Sequence, residues 1–236
     1  MTATVVSERR ETATARTLRF SVPDIRPAVA GQRIDIRLSG DDGYTAQRSY
    51  SLSSAAGADP IEITVERFKD GEVSPYLVDD ITVGDMLEVR GPIGGWLVWR
   101  PEEGARPVQL IAGGSGVAPL MSMLRTREAA GSTTPFRLLY GVTDPDRVYY
   151  SDELAHLAEH GVTVDIRYSR RVPEGSALTP RRIGREDLEA LTVPASEQPW
   201  VFVCGPTGFV EAVSDALLAM GYDEQRIRTE RFGPTS

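Results

Sequence analysis

The chain has 236 residues, 41% of them hydrophobic, a formal net charge of -8 and a single cysteine, Cys204. That length and apolar content suffice for two modest cores, since domains commonly run to roughly 100–200 residues. The acidic balance and the lack of a long basic stretch exclude nucleic acid and membrane headgroups, which need clustered Lys and Arg; one cysteine excludes an internal disulfide and the thiolate set of an iron–sulfur cluster.

The opening residues, MTATVVSERR, lack the apolar run of a signal peptide, and no stretch approaches the ~20 apolar residues of a bilayer span, so a cytoplasmic protein is expected. Short alternating or β-branched runs follow at Thr14 to Val22, Gln32 to Leu38, Gln47 to Leu52, Ile61 to Phe68 and Met86 to Arg90. Turn residues separate them at short intervals, the pattern of an antiparallel sandwich or small barrel. A short helix is predicted at Val73 to Leu77. The polar, Pro-bounded stretch Pro101 to Pro107 reads as a linker, giving a first domain over residues 1–102 and a second over 107–236. Splitting the chain after Arg106 leaves 13 basic and 17 acidic residues on each side, so neither half is a charged tail.

Beyond the linker the pattern becomes strand, helix, strand, helix. Strands are predicted at Val108 to Ala112, Phe136 to Tyr140, Val162 to Tyr168 and Trp200 to Cys204. Helices are predicted at Leu120 to Ala130, Asp152 to Glu159, Arg185 to Leu191 and Gly208 to Met220. This alternation implies an α/β domain with a parallel sheet, whose ligands sit beyond the carboxyl ends of the strands.

Three strand-to-turn elements carry the chemistry. Gly113-Gly114-Ser115-Gly116-Val117-Ala118-Pro119 runs from a strand through a Gly-rich turn into a helix, where backbone N–H groups and the dipole can meet a pyrophosphate. A Gly-rich turn alone serves equally as a tight turn; its place after a buried strand favours the phosphate. Arg48-Ser49-Tyr50-Ser51 lies on a strand with Arg48 and Tyr50 on one side and Ser49 and Ser51 on the other, which an ordinary half-polar strand would also show. Lys69 to Leu77 makes a second turn into a helix start, with Ser74 as cap or anion donor. Cys204-Gly205-Pro206-Thr207-Gly208 is the third element, and Cys204 by itself fits a small core residue. His156 and His160 lack companion ligands, so no metal site is expected and both belong on the surface.

In combination and in order, from about Thr14 to Pro234, these elements resemble the ferredoxin–NADP reductase superfamily. The resemblance implies an antiparallel β-barrel flavin-binding domain followed by an α/β parallel-sheet nicotinamide-dinucleotide-binding domain, with the isoalloxazine at their junction. It implies that Arg48 neutralises flavin phosphate, Tyr50 packs on the ring and Ser51 reaches toward N5, a set that holds the ring at hydride-transfer distance. Gly71, Val73 and Ser74 match the turn at the flavin pyrophosphate, with Arg67 nearby, whereas Gly91 to Trp96 reads as a structural turn. Gly114, Ser115 and Gly116 match the dinucleotide loop, serine standing for the more frequent threonine. Cys204, Gly205 and Pro206 match the triplet beside the nicotinamide, Glu230 the terminal acid and Phe232 the aromatic covering the flavin face opposite Tyr50. Thr143 stands where many relatives carry arginine. Ser169, Arg170 and Arg181, with Arg182, resemble the cluster that grips a ribose phosphate; no acid follows that strand to bind the hydroxyls of NAD, which favours NADPH over NADH.

The function implied is a flavin-dependent NAD(P)H oxidoreductase, with FAD or alternatively FMN, that passes electrons to a separate acceptor such as a ferredoxin, oxygenase or haem protein. Ser51, Cys204 and Glu230 are its candidate catalytic residues. A free-flavin or small-molecule reductase and a non-catalytic electron-transfer subunit are the alternatives.

Overall fold

A computed structural model describes residues 1–40, 43–103 and 106–233. The predicted linker falls partly outside these residues; its described part includes one short helical turn at Pro101–Glu103.

The first half forms six strands: β1 (Thr2–Thr12), β2 (Ala15–Ser21), β3 (Arg33–Ser39), β4 (Thr45–Ser51), β5 (Ile61–Glu66) and β6 (Met86–Ile93). They pair antiparallel in the order β4-β3-β6-β1-β2-β5. A bridge between Leu52 and Ile63, and the Ser53 N–H donating to the Glu62 carbonyl at 2.8 Å, join the outer strands and close the barrel. Alternation puts Ile34 and Ile36, Ile61, Ile63 and Val65, and Leu87 and Val89 inside it.

The sequence reading has no strand at Thr2–Thr12, because only Ala3 and Val5 of that run are buried; its polar remainder is held by pairing with β2, out to Thr12 against Ala15. The helix expected at Val73 to Leu77 begins at Ser74, with the Leu77 N–H donating to the Val73 carbonyl at 3.1 Å, and runs further than expected, as one wide turn at Tyr76–Asp80 in which the Ile81 N–H donates to the Tyr76 carbonyl at 2.9 Å.

The second half is β7 (Val108–Gly113), α1 (Val117–Ala129), β8 (Phe136–Val142), α2 (Ser151–Glu159), β9 (Val162–Tyr168), α3 (Arg185–Leu191), β10 (Trp200–Pro206), α4 (Thr207–Ala219) and β11 (Ile227–Phe232). The sheet is parallel throughout, in the order β11-β10-β7-β8-β9. Neighbouring strand residues alternate between its faces. Leu110, Leu138 and Phe202 join Leu120, Leu124, Leu154 and Leu157 of α1 and α2, whereas Ile111, Leu139 and Val203 join Leu188, Val213 and Leu217 of α3 and α4.

The chain leaves β7 for β8 on one side, and after β9 returns to β10 on the other. The β7/β10 gap is therefore the switch point, where open α/β sheets form a crevice at their carboxyl edge. α1 starts three residues before the predicted Leu120, because Pro119 falls in the first turn, where no N–H is missed. The run Ile227–Phe232 carries little strand signal in the sequence; pairing with β10 orders it as β11.

Candidate functional site

A cavity of about 680 Å³ opens where the barrel meets the parallel sheet. The barrel supplies Arg33, Arg48 to Ser51, Thr64, Glu66 and the turn Phe68 to Ser74. The second half supplies Ser115, Ala118, Pro119, Cys204 and Glu230 to Gly233.

The three candidate catalytic residues meet here. β10 and β11 run side by side with Cys204 opposite Glu230, and Ser51, 179 residues earlier in the chain than Glu230, donates its hydroxyl to Glu230 Oε1 at 3.0 Å. Burial raises the Glu230 carboxyl above its ordinary value, against the Ser51 hydrogen bond and the Arg33 charge. Burial, then the field of Glu230, push the Cys204 thiol well up, opposed by a backbone hydrogen bond from Gly205. Cys204 is thus a neutral thiol at neutral pH, suited to packing rather than nucleophilic attack. Burial also raises the Tyr50 phenol, so its ring stays uncharged in the cavity wall.

At the outer end, Arg48 Nη2 donates to Glu72 Oε2 at 2.9 Å, and Tyr44 donates to the same carboxylate. A carboxylate thus contacts the cation expected to meet a phosphate. The Ser74 hydroxyl accepts from the Phe68 N–H at 3.1 Å, and a Cβ on Gly71 would fall 2.8 Å from it, so this turn tolerates only glycine without a shift. Arg67 is not in the cavity wall; its Nε donates to Asp79 Oδ2 at 2.5 Å. Arg33, Thr64, Glu66 and Arg231 line the cavity but have no place in the sequence reading. Thr64 and Glu66 were findable, because on β5 they alternate with the core residues Ile63 and Val65.

The dinucleotide motifs gather along the carboxyl edge of the parallel sheet. Gly114 adopts φ +54°, and a Cβ on Gly116 would lie 2.2 Å from the Cys204 carbonyl oxygen. The Phe209 ring rests on both Gly113 and Gly205, where a Cβ would approach within 2.8 and 2.7 Å. The N–H groups of Ser169 and Arg170 donate to the carbonyls of Val142 and Thr143, each at 2.8 Å, which places them beside the end of β8. Arg181 is tied down: Nη2 donates to Asp187 Oδ1 at 3.0 Å and lies 3.4 Å from Glu186. Both histidines are exposed, His156 lying 3.3 Å from Glu128. Among the described residues, no group of side chains is arranged to hold a metal, and no helix is long and apolar enough to cross a membrane.

The cavity fits a flavin. It has an aromatic wall, a fixed hydroxyl–carboxyl pair, a cation at its mouth and a glycine turn too tight for a side chain.

Comparison with known proteins agrees with both halves. Residues 2–97 match the oxidoreductase FAD-binding domain family and residues 110–215 the oxidoreductase NAD-binding domain family. The ferredoxin reductase component of a 3-ketosteroid-9-alpha-monooxygenase from Rhodococcus rhodochrous is 31% identical over 99% of this chain and 65% of its own. A flavohemoprotein of Rhodopirellula baltica is 31% identical over 90% of this chain and 54% of its own. The chain spans about half the length of the curated relatives it matches. The FAD/NAD-binding domain of a nitric oxide dioxygenase from Vibrio cholerae superposes with a TM-score of 0.88 at 28% identity, covering 99% of this chain and 98% of that one.

Proposed function

Because the chain belongs to the ferredoxin–NADP reductase superfamily, we propose that it oxidises a reduced nicotinamide dinucleotide at a bound FAD and delivers the electrons to a separate acceptor protein. Relatives named as reductase components of oxygenases support an oxygenase, ferredoxin or haem protein as that acceptor. The observation that carries the reading is the convergence of Ser51, Cys204 and Glu230, from opposite halves of the chain, on one cavity wall. When bound, the flavin supplies a hydride acceptor that can release electrons singly or in pairs.

The chain's own residues hold, orient and shield. Residues 1–102 form the flavin unit, in which Arg48 would neutralise phosphate, Tyr50 would pack on the ring and Gly71, Val73 and Ser74 would cradle the pyrophosphate. Arg67 steadies that turn through Asp79. Residues 107–236 form the dinucleotide unit. There Gly114, Ser115 and Gly116 meet the pyrophosphate at the start of α1. Cys204, Gly205 and Pro206 would face the nicotinamide, and Phe232 would shield the flavin. Ser51 donates its hydroxyl to Glu230 at the reacting edge, where burial shifts the carboxyl's pKa upward.

NADPH is the donor we favour, recognised by Ser169 and the exposed Arg170. Arg181 contributes less, since Asp187 and Glu186 already balance its charge.

The test is an anaerobic titration of the purified protein with NADPH and, separately, NADH. Stoichiometric bleaching of a retained flavin band is expected, first with NADPH. A protein that holds no flavin after reconstitution, or whose flavin neither nucleotide bleaches, overturns the reading.

A further inference from the structure

One face of α1 joins the two halves of the molecule. Ala118, Ser122 and Arg125 recur at helical spacing, with Thr126 beside them. Ala118 lines the cavity at the start of this face. Further along, Ser122 donates to the Ser54 carbonyl at 2.5 Å, and the Thr126 hydroxyl accepts from the Ala56 N–H at 2.8 Å. Arg125 is also largely buried, with a side chain 15% exposed. Its Nη1 donates to the Ser53 carbonyl at 2.8 Å and to the Glu62 carboxylate on β5, whose side chain is 12% exposed. The rest of its fork grips Glu153 of α2, at 2.6 Å through Nε and 2.7 Å through Nη2. Burial acts to lower the Arg125 pKa, but the Glu153 hydrogen bond and the Glu62 charge raise it overall, so the guanidinium stays charged.

Tyr150 completes the clamp. Its hydroxyl donates to Thr64 on β5 at 2.5 Å, its N–H donates to Glu11 on β1 at 2.9 Å, and Arg125 stands 5.1 Å from its ring centroid. It does so at φ +57°, a region that a tyrosine rarely adopts. Thr64, two residues beyond Glu62, is itself a wall of the cavity.

We propose that Arg125 is a positioning residue: by locking α1 to β5 through Glu62, it sets the spacing between the dinucleotide loop at the start of α1 and the flavin wall on β5. This rests on the function proposed above. Domains of one chain move relative to each other unless the interface prevents it. Hydride transfer needs reacting atoms about 3–3.5 Å apart, and a shift of about 1 Å can cost on the order of 100-fold in rate. A buried, forked arginine holding both halves limits such a shift, because parting it from Glu62 would leave that buried carboxylate with the Ser53 hydroxyl, at 2.8 Å, in place of a cation.

The experiment compares wild-type flavin-loaded protein with Arg125→Met, Arg125→Lys, the milder Glu62→Gln, and the double variant Arg125→Met/Glu62→Gln, well below their unfolding temperatures. For Arg125→Met, flavin retention and affinity for oxidised dinucleotide should match wild type. Its anaerobic reduction should slow by about 10- to 100-fold, and the charge-transfer absorbance between dinucleotide and reduced flavin should weaken. Arg125→Lys should recover part of the rate, and the double variant should be no slower than Arg125→Met, since the two residues act as one unit. A merely structural role would lower the unfolding temperature and leave the rate and the absorbance band unchanged; that result overturns the proposal.

If neither nucleotide reduces the wild type, the function reading fails instead, and calorimetry of the same proteins decides the clamp. One transition in wild type that splits into two in Arg125→Met or Glu62→Gln supports it; a single unaltered transition overturns it.

Discussion

Replacing Gly116 with alanine sets two opposing effects against each other. The residue has φ -62° and ψ -9°, ordinary helical backbone, so on conformational grounds alone alanine would stabilise the fold by about 0.4–1 kcal/mol. Its Cβ, however, would lie 2.2 Å from the Cys204 carbonyl oxygen, 2.5 Å from that carbonyl carbon and 2.8 Å from the Gly205 nitrogen. Ordinary contacts are about 3.5 Å, so the turn must retreat by roughly 1 Å. Neither side yields easily: Gly116 leads into α1, and Cys204 sits in a central strand between β7 and β11. Overpacking of this kind costs about 1–3 kcal/mol, which leaves a net destabilisation of roughly 1–2 kcal/mol. The same retreat separates the dinucleotide loop from the Cys204 triplet, for an expected rate loss on the order of 100-fold. Gly114→Ala is the control for stability: with φ +54° and no protein atom within 4 Å of its Cβ, it bears only the left-handed backbone cost of about 1–2 kcal/mol, while its rate reports on the dinucleotide loop itself. Urea unfolding and anaerobic stopped-flow reduction measure both variants. A Gly116→Ala protein as stable as wild type and reduced at the same rate would refute the reasoning.

At the mouth of the cavity, Arg48→Gln should weaken flavin binding by roughly 10- to 100-fold, the worth of a charge-assisted hydrogen bond. Glu72→Gln should tighten it by freeing Arg48 from its carboxylate partner; fluorescence titration of apoprotein with FAD reads both. Asp187, with a side chain 3% exposed, accepts from Arg167, Arg181 and the Gly184 N–H. Asp187→Asn should therefore destabilise the protein by about 3 kcal/mol in urea and, by releasing Arg181, raise the preference for NADPH over NADH. Cys204 and Glu230 have folded-state pKa values above their ordinary 9.0 and 4.5. A group raised in this way adds stability below its unfolded value and loses it as pH rises through its folded value. The unfolding free energy should thus fall above about pH 9 for wild type but less so for Cys204→Ala. Glu230→Gln should gain on wild type as pH climbs from 4.5 toward neutrality. Iodoacetamide should leave the folded thiol unmodified at pH 8 and label it once urea opens the sheet; fast labelling of the folded protein would contradict its burial.

Much of the site was written in contiguous runs. A strand, a Gly-rich turn and a helix start are local events, so Val108 to Pro119 and Trp200 to Gly208 disclose both their shapes and their place on one sheet edge. Local residues could not disclose partners. Arg181 reads as a free cation in sequence but is held by Asp187, and Arg67 by Asp79, because a carboxylate within reach captures an arginine before any ligand does. Strands with few buried residues, such as Thr2–Thr12 and Ile227–Phe232, carry a weak periodic signal, and pairing with a neighbour is what orders them.

By itself the sequence determined the antiparallel barrel followed by the parallel sheet, with Gly-rich turns at that sheet's carboxyl edge, since apolar period, turn residues and glycines act over a few positions. Only the tertiary structure decided that Ser51 would meet Glu230, that Arg48 would face Glu72 and that Arg125 would bind Glu62. Such contacts, most plainly Ser51 with Glu230 across 179 residues, exist only once the two cores have packed and fixed the halves against each other.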